Sequence, residues 1–166
     1  MIGKLAVLCA GNICRSPMAF GLLRAEPALV EAGVGLSSAG LMAEVGTPPV
    51  PEAIRLLQAR GLDIRDHRAR QATDELLRSH DLILVMEHWQ REWIGARWPF
   101  LMGRVFLLGH WGGYEIADPY GSPAPSFERA LDGIERGIRD WLPHLTRLRP
   151  YPPAPDERDA GEGNPG

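Results

Sequence analysis

The chain has 166 residues, of which 45% are hydrophobic and 23% charged, which fits one globular domain with a core of its own. Its formal charge of -3 belongs to the end: residues 150–166 set Arg158 against Asp156, Glu157, Asp159 and Glu162, and residues 1–149 balance, so the body of the chain has no basic footprint for nucleic acid or an anionic membrane. Two cysteines cannot build a disulfide scaffold, and the paired Cys spacing of a zinc finger is absent.

In chain order, "KLAVLC" (4–9) is a short apolar run before a Gly-containing turn, as expected of a strand buried on both faces. Ser16-Pro17 has the form of a helix start, with Ser16 as N-cap, and the helix should run to about Pro27. "VGLSSAG" (34–40) is a second strand. "VPEAIRLLQARGLD" has helical spacing and a stop at Gly61. "DELLRSH" is a short helix, "DLILVM" (81–86) a third buried strand, and "EHWQREWIGARW" a helix ending before Pro99. "RVFLLG" (104–109) is a fourth strand. The long closing helix places Phe127, Leu131, Ile134, Ile138, Trp141 and Leu145 on one face. Trp89, Trp93 and Trp98 fit either a core or an interface.

This alternation specifies an α/β fold, an open four-stranded parallel sheet with helices on both faces. The turn between the first strand and the first helix is read, from its residues, as a phosphate loop. The expected domain covers residues 1–148. Residues 149–166, rich in Pro, Gly and acid, read as a disordered tail. No apolar run reaches the length of a membrane span, and the N-terminus lacks the pattern of a signal peptide. The expectation is therefore a cytoplasmic protein that neither inserts in membranes nor binds nucleic acid.

Ligands of open α/β sheets bind at the carboxyl ends of strands, and "LCAGNICRSP" (8–17) lies there. Gly11 and Asn12 tolerate left-handed backbone, so the loop can curl until its N–H groups converge on an anion at the helix start. Such a field favours a thiolate at Cys9. Arg15 brings a planar fork for two phosphoryl oxygens, and Ser16 a hydroxyl for the sulfur. Cys with Arg six residues on is weak evidence alone; its position between a buried strand and a helix points to phosphoryl transfer through a cysteinyl-phosphate. That chemistry needs an acid for the leaving oxygen. "EIADPYGSP" (115–123), after the fourth strand, offers Asp118, with Tyr120 as an aromatic face beside it.

"CAGNICRSP" together with "DPYG" resembles the low-molecular-weight protein tyrosine phosphatases, over about residues 4–145. "SAG" (38–40), "HRARQ" (67–71) and "GRVFLLGHW" (103–111) share in the likeness. The last of these, with "EIADPYG", is most similar to the bacterial branch that works opposite the tyrosine autokinases of exopolysaccharide export. The resemblance implies that Cys9 is the nucleophile, Arg15 the phosphate-binding arginine and Asp118 the general acid. It makes Ala10, Gly11, Asn12, Ile13, Cys14, Arg15 and Ser16 the phosphate-binding loop, with Asn12, Ser16, Ser38 and His67 as the polar network that holds it. Ile13, Leu41 and Tyr120 match the walls of the aromatic slot, and Cys14 a second loop cysteine linked to reversible oxidation. No metal or cofactor is implied. The implied partner is a tyrosine-phosphorylated protein, such as a cognate bacterial tyrosine kinase.

The chain departs from the family at Val50-Pro51, where Asp-Pro is common, and at Leu41, where some members carry an aromatic ring. Three other readings differ in class. Arsenate reductase uses further cysteines, which this chain lacks. Phosphoarginine phosphatase tends to have Thr at the position of Ile13. A non-catalytic phosphate-binding scaffold has no need of Cys9, Arg15 and Asp118 together.

Overall fold

The computed structural model describes residues 2–146; the expected tail at 149–166 lies outside them. Strands β1 (Lys4–Cys9), β2 (Gly35–Gly40), β3 (Leu82–Val85) and β4 (Val105–Leu107) form one parallel sheet in the order β2-β1-β3-β4. The register pairs Val7 with Ser38 and with Leu84, and Leu84 in turn with Phe106. The helices are α1 (Arg15–Arg24), α2 (Pro27–Glu31), α3 (Pro51–Gln58), α4 (Asp74–Arg78), α5 (His88–Arg97) and α6 (Ala124–Thr146).

Side-chain alternation splits the apolar strands between two cores. Leu5, Val7, Leu84 and Met86 face a core completed by α1, α3 and α6, whose Phe127, Leu131, Ile134, Ile138, Trp141 and Leu145 are all buried as the helical period requires. Ala6, Leu8, Ile83 and Val85 face a second core with Leu77 of α4 and Ile94 of α5. Both faces are covered, which is why "LAVLC" and "LILV" have no polar positions. Trp93 and Trp98 pack on this second core with ring centroids 6.0 Å apart, while Trp89 stays at the surface.

Three local expectations change. The first helix stops at Arg24, and Pro27 opens a separate short helix: its fixed φ suits a first helical position as well as it ends a preceding helix. The Val50-Pro51 departure leaves the next helix start intact, because α3 begins at Pro51 with an extended Val50 before it. Ser16 is not the N-cap of α1; that position is Cys14, and Ser16 lies buried in the first turn.

In this strand order the chain leaves β1 toward β2 and returns on its other side to β3. The carboxyl end of β1 is thus the switch point of the sheet, where a crevice must open. The loops after β1, β3 and β4 meet there.

Candidate active site

Strand β1 ends at Cys9, and the chain turns through residues 10–14 into α1. Asn12 alone carries the left-handed bend, with φ of 58°; Gly11, expected to share it, is not among the residues at positive φ. A glycine is needed instead across the loop at Gly40, where a Cβ would lie 2.6 Å from the Ala10 carbonyl oxygen. Cys9 Sγ lies 2.9 Å from Ser16 Oγ and accepts from the Asn12 backbone N–H at 3.3 Å. Ser16 thus spends its hydroxyl on the sulfur rather than on a cap. Helix α1 has no side-chain cap, which leaves first-turn N–H groups for an anion.

Asn12 is fully buried and fully bonded. Its Nδ2 donates to Ser16 Oγ (2.8 Å) and Ser38 Oγ (2.7 Å), and its Oδ1 accepts from the Arg70 backbone N–H (3.0 Å). His67 Nε2 is 3.0 Å from the Asn12 carbonyl, so that nitrogen carries the proton. Burial holds the His67 pKa below its ordinary value, which favours the neutral ring in this position. The structure brings together Asn12, Ser16, Ser38 and His67, and adds Arg70, whose Nε also donates to the Ser38 carbonyl at 2.9 Å.

Arg15 is 1% exposed. Its Nη1 donates to Glu87 Oε1 and to the Ile116 carbonyl (2.8 Å), and its Nη2 lies 3.5 Å from Asp118 Oδ2. Its Nε is buried with no partner among the described residues. A guanidinium held on one edge by Glu87 and Ile116 keeps its other donors for a phosphoryl group. Glu87 was not foreseen. The signal was present, since "DLILVME" puts a carboxylate directly after a buried strand, the same position rule that selects Asp118 after β4. Gln90 Oε1 accepts from the Glu87 N–H at 3.1 Å at the start of α5, which helps to fix the Glu87 backbone.

Asp118 reaches the pocket from the loop after β4. Its Oδ1 accepts from the Tyr120 N–H (3.0 Å) and from Cys14 Sγ (3.8 Å). A cavity of about 200 Å³ is lined by Cys9, Ala10, Gly11, Ile13, Cys14, Arg15, Met42, Glu44, Asp118 and Tyr120. Leu41 is not in its wall. It is 1% exposed in the second core, and the wall position falls to Met42 and Glu44. The segment after β2 runs beside the loop that follows β1, with Leu41, Met42 and Glu44 N–H groups donating to the Cys9, Ala10 and Gly11 carbonyls. At the turn that follows β2, Leu41 is buried and Met42 beside it is exposed, so a shift of one position exchanges core for pocket.

Burial and the neighbouring Cys9 and Asp118 push the Cys14 thiol up to about 12, so it stays protonated at neutral pH. Peroxide would convert a Cys9 thiolate to the sulfenic acid, releasing hydroxide. Cys14–SH would then displace water from it to give a disulfide, slowly, because little of the thiol is ionised. The expected result is reversible inactivation by mild peroxide in the native protein and poorer recovery by thiol in Cys14→Ser after the same dose. Equal recovery of the two, measured as regained turnover of p-nitrophenyl phosphate, removes the protective role.

With this geometry in view, the chain compares closely with known proteins. A sequence model described as "Low molecular weight phosphotyrosine protein phosphatase" matches residues 4–150. The "Probable low molecular weight protein-tyrosine-phosphatase EpsP" of Ralstonia nicotianae is 44% identical over 148 residues, 89% of this chain and 99% of that protein. The crystal structure of the Erwinia amylovora tyrosine phosphatase AmsI superposes with a TM-score of 0.81 at 36% identity, covering 89% of this chain and 95% of that one. The tyrosine phosphatase Wzb of Escherichia coli K30, solved with sulphate, gives 0.80 at 34%, covering 87% and 99%.

Proposed function

Because the chain belongs to the low molecular weight phosphotyrosine protein phosphatase family and is therefore a protein-tyrosine-phosphatase, we propose that it works through Cys9, Arg15 and Asp118 in two displacement steps. In the first, Cys9 Sγ attacks phosphorus and the bond to the tyrosyl oxygen breaks. Asp118 gives that oxygen its proton, so tyrosine leaves neutral. In the second, the Asp118 carboxylate takes a proton from water as the water oxygen attacks phosphorus. The S–P bond breaks, releasing inorganic phosphate and returning the thiolate. Arg15 Nε and Nη2 and the loop N–H groups hold the equatorial oxygens through both steps. The observation that carries this reading is the convergence of Cys9, Arg15 and Asp118, from two separate strand ends, on one small cavity.

The burial of Cys9, 2% exposed, favours phosphotyrosine over phosphoserine. A phosphotyrosine holds its phosphorus a ring length from the backbone, and Ile13, Met42 and Tyr120 supply apolar wall for that ring. A phosphoserine cannot reach Cys9 and keep those contacts. Within this family reading, the substrate is a phosphorylated bacterial tyrosine autokinase or another protein of exopolysaccharide production. What supports it is the likeness to EpsP, AmsI and Wzb over nearly the whole of each. A cytoplasmic site of action fits a chain in which no helix among the described residues is long and apolar enough to cross a membrane.

Substrate choice is tested with phosphotyrosine, phosphoserine and phosphoarginine, on wild type and on Ile13→Thr. Wild type is expected to prefer phosphotyrosine. The variant is expected to lose kcat/KM on phosphotyrosine and gain it on phosphoarginine, because a hydroxyl replaces apolar wall and can accept from a guanidinium. A wild type that prefers phosphoarginine or phosphoserine overturns the substrate assignment.

A further inference from the structure

From the charges at the mouth of the phosphate pocket, we infer that the enzyme selects phosphotyrosines with an arginine or lysine close by in the substrate, and that Glu44 is the residue that selects them. This rests on the phosphotyrosine reading above. Three charged side chains line the pocket: Arg15, Glu44 and Asp118. The one cation, Arg15, is buried and held by Glu87 and Ile116. Glu44 and Asp118, both carboxylates, reach the surface. A site for a phosphate dianion thus has an acidic rim.

Glu44 is tied to the phosphate loop. Its N–H donates to the Gly11 carbonyl at 3.1 Å, and its carbonyl accepts from Thr47 N–H at 3.0 Å. Its carboxylate has no hydrogen-bond or ion-pair partner among the described residues, so its charge faces whatever enters. By itself that charge repels the phosphate. It becomes favourable when the substrate brings a cation to it. The surroundings suit a long basic side chain. Met42 and Tyr120 line the same mouth and Val45 follows Glu44 in the loop, and they are 57%, 59% and 70% exposed. An arginine or lysine can lay its methylene stem on such surface and place its head at Glu44. The groove of about 570 Å³ on the other side of Asp118 sets Arg129 and Arg136 against Glu115, Asp118 and Asp132, so it brings no excess of positive charge to offset the acidic rim.

The test uses two phosphotyrosine peptides of equal length, one with arginines on both sides of the phosphotyrosine and one with glutamates. Each is assayed on wild type, Glu44→Gln and Glu44→Lys at low and high salt. Wild type is expected to favour the basic peptide by about two- to five-fold in kcat/KM, the size of an exposed ion pair, through KM rather than kcat. The preference should vanish in Glu44→Gln, reverse in Glu44→Lys and shrink with salt. An unchanged ratio in Glu44→Gln, or a wild-type preference for the acidic peptide, overturns the inference while leaving the phosphotyrosine reading intact. Hydrolysis of neither peptide by wild type instead counts against the phosphotyrosine reading itself.

Discussion

Cys9→Ser is expected to lose turnover of a phosphotyrosine peptide by on the order of 10³-fold or more while remaining folded. The site gives the reason on both counts. Cys9 is buried at the end of β1, and its sulfur accepts from Asn12 N–H and sits 2.9 Å from Ser16 Oγ. A serine hydroxyl can accept from the same groups and adds no volume, so the loop keeps its network. What is lost is chemical. An alcohol is far less ionised than a thiol, and an alkoxide in this loop would be far costlier to form than a thiolate. Arg15 is untouched, so the variant should still bind inorganic phosphate. Thermal melting and phosphate binding near wild type, with turnover gone, is the expected combination. Turnover near wild type would end the reading of Cys9 as nucleophile.

Asp118→Ala is expected to lower kcat for the phosphotyrosine peptide by about 10²–10⁴-fold. The tyrosyl oxygen is a poor leaving group, with an ordinary pKa near about 10, and needs a proton as its bond to phosphorus breaks. An aryl phosphate with a very acidic phenol needs that proton less, so its loss should be smaller. Asp118 is 45% exposed and its lost contacts are those to Tyr120 N–H, Cys14 and Arg15, so the fold should survive. The dependence on leaving group is the discriminating feature. An equal loss across a series of aryl phosphates would make Asp118 a residue that orders the loop and Arg15 rather than a proton donor.

The sheet and the place of the turn between β1 and α1 were legible because their signals are local. An uninterrupted apolar run marks a strand covered on both faces, and the two cores beneath and above β1 and β3 explain its uniformity. The loop itself offered Asn12 for a left-handed bend and Ser16 for the sulfur, but their joining with Ser38 and His67 in one polar network was legible only through likeness to a family, since four such residues scattered over 56 positions of sequence form no pattern by themselves. Leu41 went wrong for a physical reason. Which of two neighbouring residues faces a pocket depends on how the segment after β2 docks beside the loop, and sequence does not state that register. Of the two roles read for Ser16, the contact with the sulfur is present and the N-cap is not, because both compete for one hydroxyl and the buried sulfur and Asn12 outweigh the helix end. Glu87 escaped because a carboxylate after a strand signals a site only once its partner, a buried guanidinium 72 residues earlier, is known to lie beside it.

The central claim is that phosphate passes through the Cys9 sulfur. It is tested most directly by quenching the enzyme with denaturant during turnover of p-nitrophenyl phosphate and mapping phosphoryl groups by mass spectrometry. The expected result is one phosphoryl group on the peptide that contains Cys9, located on that cysteine, present in wild type and absent in Cys9→Ser. A phosphoryl group on another residue, or its absence from Cys9 under conditions where Cys9→Ser still turns over, would contradict the account.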